Sequence, residues 1–158
     1  MSGYKRMVIF TKNAYQLVKQ ITWDDIIKKM ENEFELETCV SYVNPGSAPT
    51  IILHNENQPK TIYEAVQEIE KDWITNSCHV YTSFAKSALT FGRHNDKVNV
   101  LIVGAIGQVS YKFDDGSTYL VEPGDSLYIS AGEYHDPIVH SARATLSIST
   151  PQSPKFKI

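Results

Sequence analysis

Residues 91–113, FGRHNDKVNVLIVGAIGQVSYKF, and residues 121–137, VEPGDSLYISAGEYHDP, decide how this chain is read. His94 and Asp96 stand one residue apart. In an extended chain, side chains two positions apart share a face, so both can enter one interior. The apolar run 98–103 reads as a strand, and Gly104 and Gly107 after it as turn glycines. In the second segment Gly124-Asp125 opens a strand, Ala131-Gly132 makes a turn, and His135 follows. Two imidazoles and one carboxylate are the donor set of a facial metal triad, which leaves coordination positions open.

Working outward from these segments, residues 79–84, 88–91, 108–113, 117–121, 126–129 and 142–149 also read as short strands. Asp114-Asp115-Gly116 and Glu122-Pro123-Gly124-Asp125 are turn signals between them. Many short strands at near-regular spacing predict a closed or sandwiched β body over residues 78–150. Upstream, residues 12–75 are mixed. Residues 14–20 read as a helical turn or two. Thr22 precedes Trp23-Asp24-Asp25, an N-cap with acidic first-turn residues, and Ile26, Ile27 and Met30 follow at helical spacing, so a helix is expected over 23–34. Residues 36–43 and 50–54 flank the turn cluster 44–47 as a hairpin. A second helix, capped by Thr61, carries Ile62, Ala65, Val66, Ile69 and Trp73 on one face and ends at Asn76 and Ser77. Residues 151–158 read as a tail. No repeat or linker divides the 158 residues, so a single domain is expected.

Composition narrows the classes. The chain is 42% hydrophobic and 21% charged, with net charge −3. No run approaches the roughly 20 apolar residues of a membrane span, and no signal peptide is read at the N-terminus. Lys and Arg are scattered without a basic stripe, which argues against a nucleic-acid surface. Cys39 and Cys78 make no metal spacing and suit a reduced, cytoplasmic setting. His54, His79 and His140 read as surface or hydrogen-bonded residues. Cys78 and His79, as strand neighbours, face opposite ways and make a poor thiol–imidazole pair. Ser130 and Ser147 lack any nucleophile context.

The stretch 80–149 resembles the cupin superfamily and, within it, the JmjC-like, ribosomal-oxygenase-like 2-oxoglutarate oxygenases. The likeness rests on His94-x-Asp96 with Gly107 beyond it, on Pro123-Gly124-Asp125-Ser126-Leu127-Tyr128-Ile129, on Ala131-Gly132-Glu133-Tyr134-His135, and on the closing 144–149 strand, ATLSIS. The resemblance implies a mainly β (α+β) fold, a double-stranded β-helix (cupin or jelly-roll barrel) with N-terminal helices. It implies Fe(II) held by His94, Asp96 and His135, 2-oxoglutarate as cosubstrate, and hydroxylation coupled to succinate formation.

One family feature is missing. A Lys or Arg shortly after the turn glycine often grips the distal carboxylate of 2-oxoglutarate, and the matching position is Val109. Lys112 lies three residues on and, by alternation, faces away from Val109 unless a bulge intervenes. Arg143, on the final strand, is the main substitute, since a planar guanidinium suits a carboxylate. Thr90 and Tyr81 are further candidates to touch the cosubstrate. Two other readings stay open. In one, a small metal-dependent cupin enzyme (a dioxygenase or isomerase) works without 2-oxoglutarate, which Val109 favours. In the other, a metal-free barrel serves as a binding or structural module. The chain is too short for the dimerisation and helical domains of larger relatives, so a small-molecule or short-peptide substrate is as plausible as a ribosomal protein. Pairing of two copies through an exposed sheet edge is open.

Overall fold

The computed structural model describes residues 7–35, 40–43, 50–54 and 59–151. Cys39, the start of the expected strand 36–43, the turn cluster 44–47 and the tail beyond Pro151 lie outside the described residues. The chain is mostly β with two helices and antiparallel sheets. In order run β1 (Val8–Thr11), a 3-10 turn (Leu17–Gln20), α1 (Trp23–Glu35), β2 (Val40–Val43), β3 (Thr50–Leu53) and α2 (Lys60–Ile69). Then follow β4 (Ser77–Ser83), β5 (Asn99–Ile106), β6 (Val109–Phe113), β7 (Thr118–Val121), β8 (Ser126–Ile129), β9 (His135–Val139) and β10 (Arg143–Thr150). No helix among the described residues is long and apolar enough to cross a membrane.

Thr22 does cap α1. Its amide donates to Asp25 Oδ2 at 2.9 Å, and the Asp25 amide donates back to Thr22 Oγ1 at 3.3 Å, a reciprocal box that satisfies two otherwise orphaned donors. The buried face of α1 differs from expectation. Ile26 is buried but Ile27 turns to solvent, and Lys29 and Glu33 take the inner positions as a fully buried pair 3.0 Å apart. The spacing 26, 29, 33 keeps them on one stripe. In α2, Thr61 is not the cap. Pro59 occupies that position without a side-chain bond, which suits a helix start where the amide would be unpaired anyway, and Thr61 Oγ1 finds no hydrogen bond. The helix ends at Ile69. Trp73 is buried just beyond it, its Nε1 donating to Tyr15 Oη at 2.9 Å.

A seven-stranded sheet in the order β1-β8-β5-β10-β4-β3-β2 faces a three-stranded sheet, β7-β6-β9, with every pairing antiparallel. This is consistent with a jelly roll. Period-two alternation divides each central strand between two cores. Leu101, Val103 and Ala105 of β5, with Ala144, Leu146 and Ile148 of β10, pack beneath α2 and the 3-10 turn. Val100 and Ile102, with Leu127 and Ile129 of β8, face Val109, Tyr111, Phe113 and Val121 of the small sheet. The outcome is three layers: helices, large sheet, small sheet.

Two expectations change around β5. Gly104 is no turn residue but lies inside the strand, where a Cβ would stand 2.4 Å from the Glu122 carbonyl oxygen. The chain before β8 crosses too closely for a side chain. Residues 88–91 form no strand. The whole span 84–98 between β4 and β5 is irregular, apart from an isolated bridge between His94 and His135. β1 and β9 were not foreseen as strands.

Candidate metal centre

The two histidines meet because the backbone makes them do so. His94 N donates to His135 O at 2.9 Å and His135 N donates to His94 O at 2.8 Å, a single antiparallel bridge beside the register pair Phe113 and His135. Asp96, two residues on, returns to the same side and is anchored by Gly132 N, which donates to the Asp96 carbonyl at 2.9 Å. One donor atom from each of His94, Asp96 and His135 lies within 4.8 Å of the others. His135 Nε2 stands 3.4 Å from Asp96 Oδ2, and His94 Nε2 stands 3.9 Å from Asp96 Oδ1. His135 is buried, while His94 and Asp96 are partly open at the mouth.

The tautomers follow from the neighbours. His94 Nδ1 is 2.7 Å from Gly92 O, and His135 Nδ1 is 2.9 Å from Glu133 O. A carbonyl only accepts, so each Nδ1 carries a proton, and in the neutral ring each Nε2 is then the atom with a lone pair to offer a cation. Carbonyl partners of this kind orient metal-ligating histidines. Burial alone would push the Asp96 carboxyl up, but the contact with His135 and the proximity of both imidazoles outweigh it and hold it below its usual value. Two lone pairs and a carboxylate converging on one point fit a divalent cation, and the N₂O set suits a first-row transition metal.

Behind this trio a cleft runs between the sheets. It is lined among others by Tyr81, Thr90, Tyr111, Arg143 and Thr145. Arg143, at the head of β10, is 2% exposed. Its Nε donates to Ser83 Oγ at 3.0 Å and an Nη donates to Thr145 Oγ1 at 3.1 Å. Thr50 Oγ1 donates to Leu89 O at 2.7 Å, so in its 3.0 Å contact with Ser83 it is Ser83 that donates to Thr50. That leaves Ser83 Oγ free to accept from Arg143. No carboxylate among the described residues pairs with this guanidinium, although burial lowers its pKa and the neighbouring Tyr111 and Tyr81 phenols only partly offset that. Burial pushes the Tyr81 phenol up to about 12.

The candidates separate clearly. Arg143, Tyr81 and Thr90 line the same cleft as His94, Asp96 and His135. The Thr90 hydroxyl is engaged locally, donating to Pro137 O at 3.2 Å. Lys112 does not line the cleft. The β6–β9 register runs from Val109 to Phe113 without a bulge, so Val109, Tyr111 and Phe113 point inward and Lys112 is exposed on the outer surface. The same alternation, had it been carried one step past Val109, points to Tyr111, which sequence reasoning missed. Ser83 and Thr50 were also missed, because only strand pairing brings them to Arg143; Thr145, two residues along β10 on the same face, was legible by alternation and was missed as well. His54 and His79 pack edge to face with ring centres 4.7 Å apart, and His140 contacts Ser110 Oγ at 2.6 Å; none of the three lines the cleft.

No family model matches this sequence, and a search of curated proteins returned no match. Solved structures do share the fold. The ribosomal oxygenase YcfD of Escherichia coli superposes with a TM-score of 0.66 at 17% identity over 92% of this chain and 48% of that one. Its complex with cobalt and 2-oxoglutarate gives 0.63 at 16% identity over 93% and 48%. A prolyl-4-hydroxylase of Pseudomonas putida gives 0.61 at 13% identity over 92% and 93%. The chain thus spans about half the length of the YcfD chain. At such identities the likeness is one of fold.

Proposed function

We propose that this chain is a non-haem Fe(II), 2-oxoglutarate-dependent oxygenase. In this reading the sheets close as a double-stranded β-helix: β4, residues 84–98 and β5 to β10 would be its eight strands, the second reduced to the His94–His135 bridge. The carrying observation is a pair of opposite charge demands within one cleft. His94, Asp96 and His135 present lone pairs and a carboxylate that call for a cation, while Arg143 is a buried guanidinium that calls for an anion. A short dicarboxylate with one chelating end satisfies both. The fold likeness to an oxygenase solved with cobalt and 2-oxoglutarate supports the choice.

With Fe(II) bound, the site would couple the reduction of dioxygen to two oxidations, one oxygen atom entering succinate as 2-oxoglutarate loses carbon dioxide and the other entering the substrate C–H bond as a hydroxyl. The chain's own part is to hold and orient. His94 and His135 are fixed through Nδ1, Arg143 with Ser83 and Thr145 receives the distal carboxylate, and Tyr81 and Tyr111 wall the cleft against water. The substrate, a small molecule or a peptide side chain, approaches over the mouth, where Phe91 is 54% exposed and packs edge-on to His94.

The test is calorimetric and chemical. Wild type binds Mn(II) and then N-oxalylglycine, and with Fe(II) converts 2-oxoglutarate to succinate; His94→Ala and Asp96→Ala lose both. Unchanged metal binding in both variants overturns the assignment. Val109, apolar where relatives often carry a cation, favours a second reading, a metal-dependent cupin enzyme that makes no use of 2-oxoglutarate. Metal binding without any N-oxalylglycine binding selects it.

A further inference from the structure

The sequence neighbours of the inner-face residues meet on the outer face. Phe113, His94 and His135 lie together inside: His94 and His135 form the bridge, and the Phe113 ring centre is 6.2 Å from that of His135. Asp114, Arg93 and Tyr134, one step along in each segment, lie together outside. Arg93 Nε donates to Asp114 Oδ1 at 2.8 Å and an Nη donates to Asp114 Oδ2 at 2.6 Å. The guanidinium carbon also sits 4.1 Å from the centre of the Tyr134 ring. One exposed arginine therefore spans the 84–98 segment, the end of β6 and the residue before β9, directly across the backbone from the ligand side chains.

Such a link matters because the segment carrying His94 is held by isolated bonds and not by a ladder. Regular strand pairing is absent from 84–98 among the described residues; the His94–His135 bridge is joined there by Ser87 N donating to Val139 O at 3.1 Å, Thr90 Oγ1 to Pro137 O at 3.2 Å and Gly132 N to Asp96 O at 2.9 Å. A planar fork on a carboxylate fixes angle as well as distance, and stacking on Tyr134 adds a third point. We infer that Arg93, clamped on Asp114 and Tyr134, is a positioning residue that sets the separation of His94 from His135 for metal binding. The inference rests on the metal reading above. It separates positioning from stability: the pair is about half exposed, and exposed ion pairs add little to global stability.

Arg93→Gln, Asp114→Asn and their double variant are compared with wild type for Mn(II) affinity by titration calorimetry, for Tm, and for amide hydrogen exchange of the metal-free protein. Lys60→Gln, which removes another exposed pair, with Glu64, serves as control. Each clamp variant is expected to bind Mn(II) about tenfold or more weakly, the range seen when groups behind a metal ligand are removed. The double variant falls no further than the singles, because both remove one interaction. Tm stays close to wild type, and the His94 and His135 amides exchange faster even without metal. Should Arg93→Gln fail to fold, Asp114→Asn and Tyr134→Leu decide the matter. Clamp variants that bind Mn(II) within about twofold of wild type, with unchanged exchange, overturn the clamp alone. A wild type that binds no Mn(II) overturns both the metal reading and the clamp.

Discussion

Arg143 is the residue whose energetics are most at odds with a purely structural role. Its guanidinium, buried with no carboxylate partner among the described residues, loses hydration that the neutral hydroxyls of Ser83 and Thr145 and the nearby Tyr111 phenol only partly replace. Replacing such a charge by an apolar side chain of similar length is often neutral or stabilising for the fold. Arg143→Met is therefore expected to keep or raise Tm while weakening N-oxalylglycine binding roughly 10- to 100-fold, the worth of a charge-assisted contact. Mn(II) affinity alone stays near wild type. Thermal unfolding and calorimetry on the same sample check both halves. A lower Tm with unchanged N-oxalylglycine affinity would make Arg143 a structural residue.

At the scale of elements, the Pro123-Gly124-Asp125 turn is a fastener. Asp125 is buried, and its carboxylate accepts from Lys12 Nζ at 3.0 Å, Asn13 N at 2.9 Å and Glu122 N at 3.0 Å. Two of these donors lie just past β1, so the turn ties that edge strand and the following 3-10 turn to the sheet. Asp125→Ala leaves backbone amides without their acceptor and is expected to cost about 2–3 kcal/mol in urea unfolding. Hydrogen exchange of Val8–Thr11 should rise first. The reading of Gly124-Asp125 as the opening of a strand was correct, but the carboxylate's partners were not legible: more than 110 positions separate Asp125 from Lys12 and Asn13. The Thr22 cap of α1 was legible because all its partners lie within three residues.

At the scale of the whole molecule, the proposed centre joins both sheets, so its ligands should stabilise the fold as a unit. Ligands that bind only the folded state at about a hundredfold above Kd add about 2.7 kcal/mol. For a chain of this size that amounts to a rise in Tm of roughly 5–10 °C with Mn(II) and N-oxalylglycine together. His94→Ala abolishes the shift. The sequence by itself determined what depends on near neighbours: the period-two strands, the capped first helix, and the shared side of His94 and Asp96. Tertiary structure alone decided that residues 84–98 bring His94 and Asp96 to His135 without forming a strand, and that Gly104 yields to the Glu122 carbonyl. It alone decided, too, that Arg143 ends buried beside Ser83 with no counter-charge among the described residues, and that Arg93 reaches Asp114 across the outer face. Each of these turns on contacts between segments far apart along the chain, which close only once the strands have paired; no local pattern of residues encodes them.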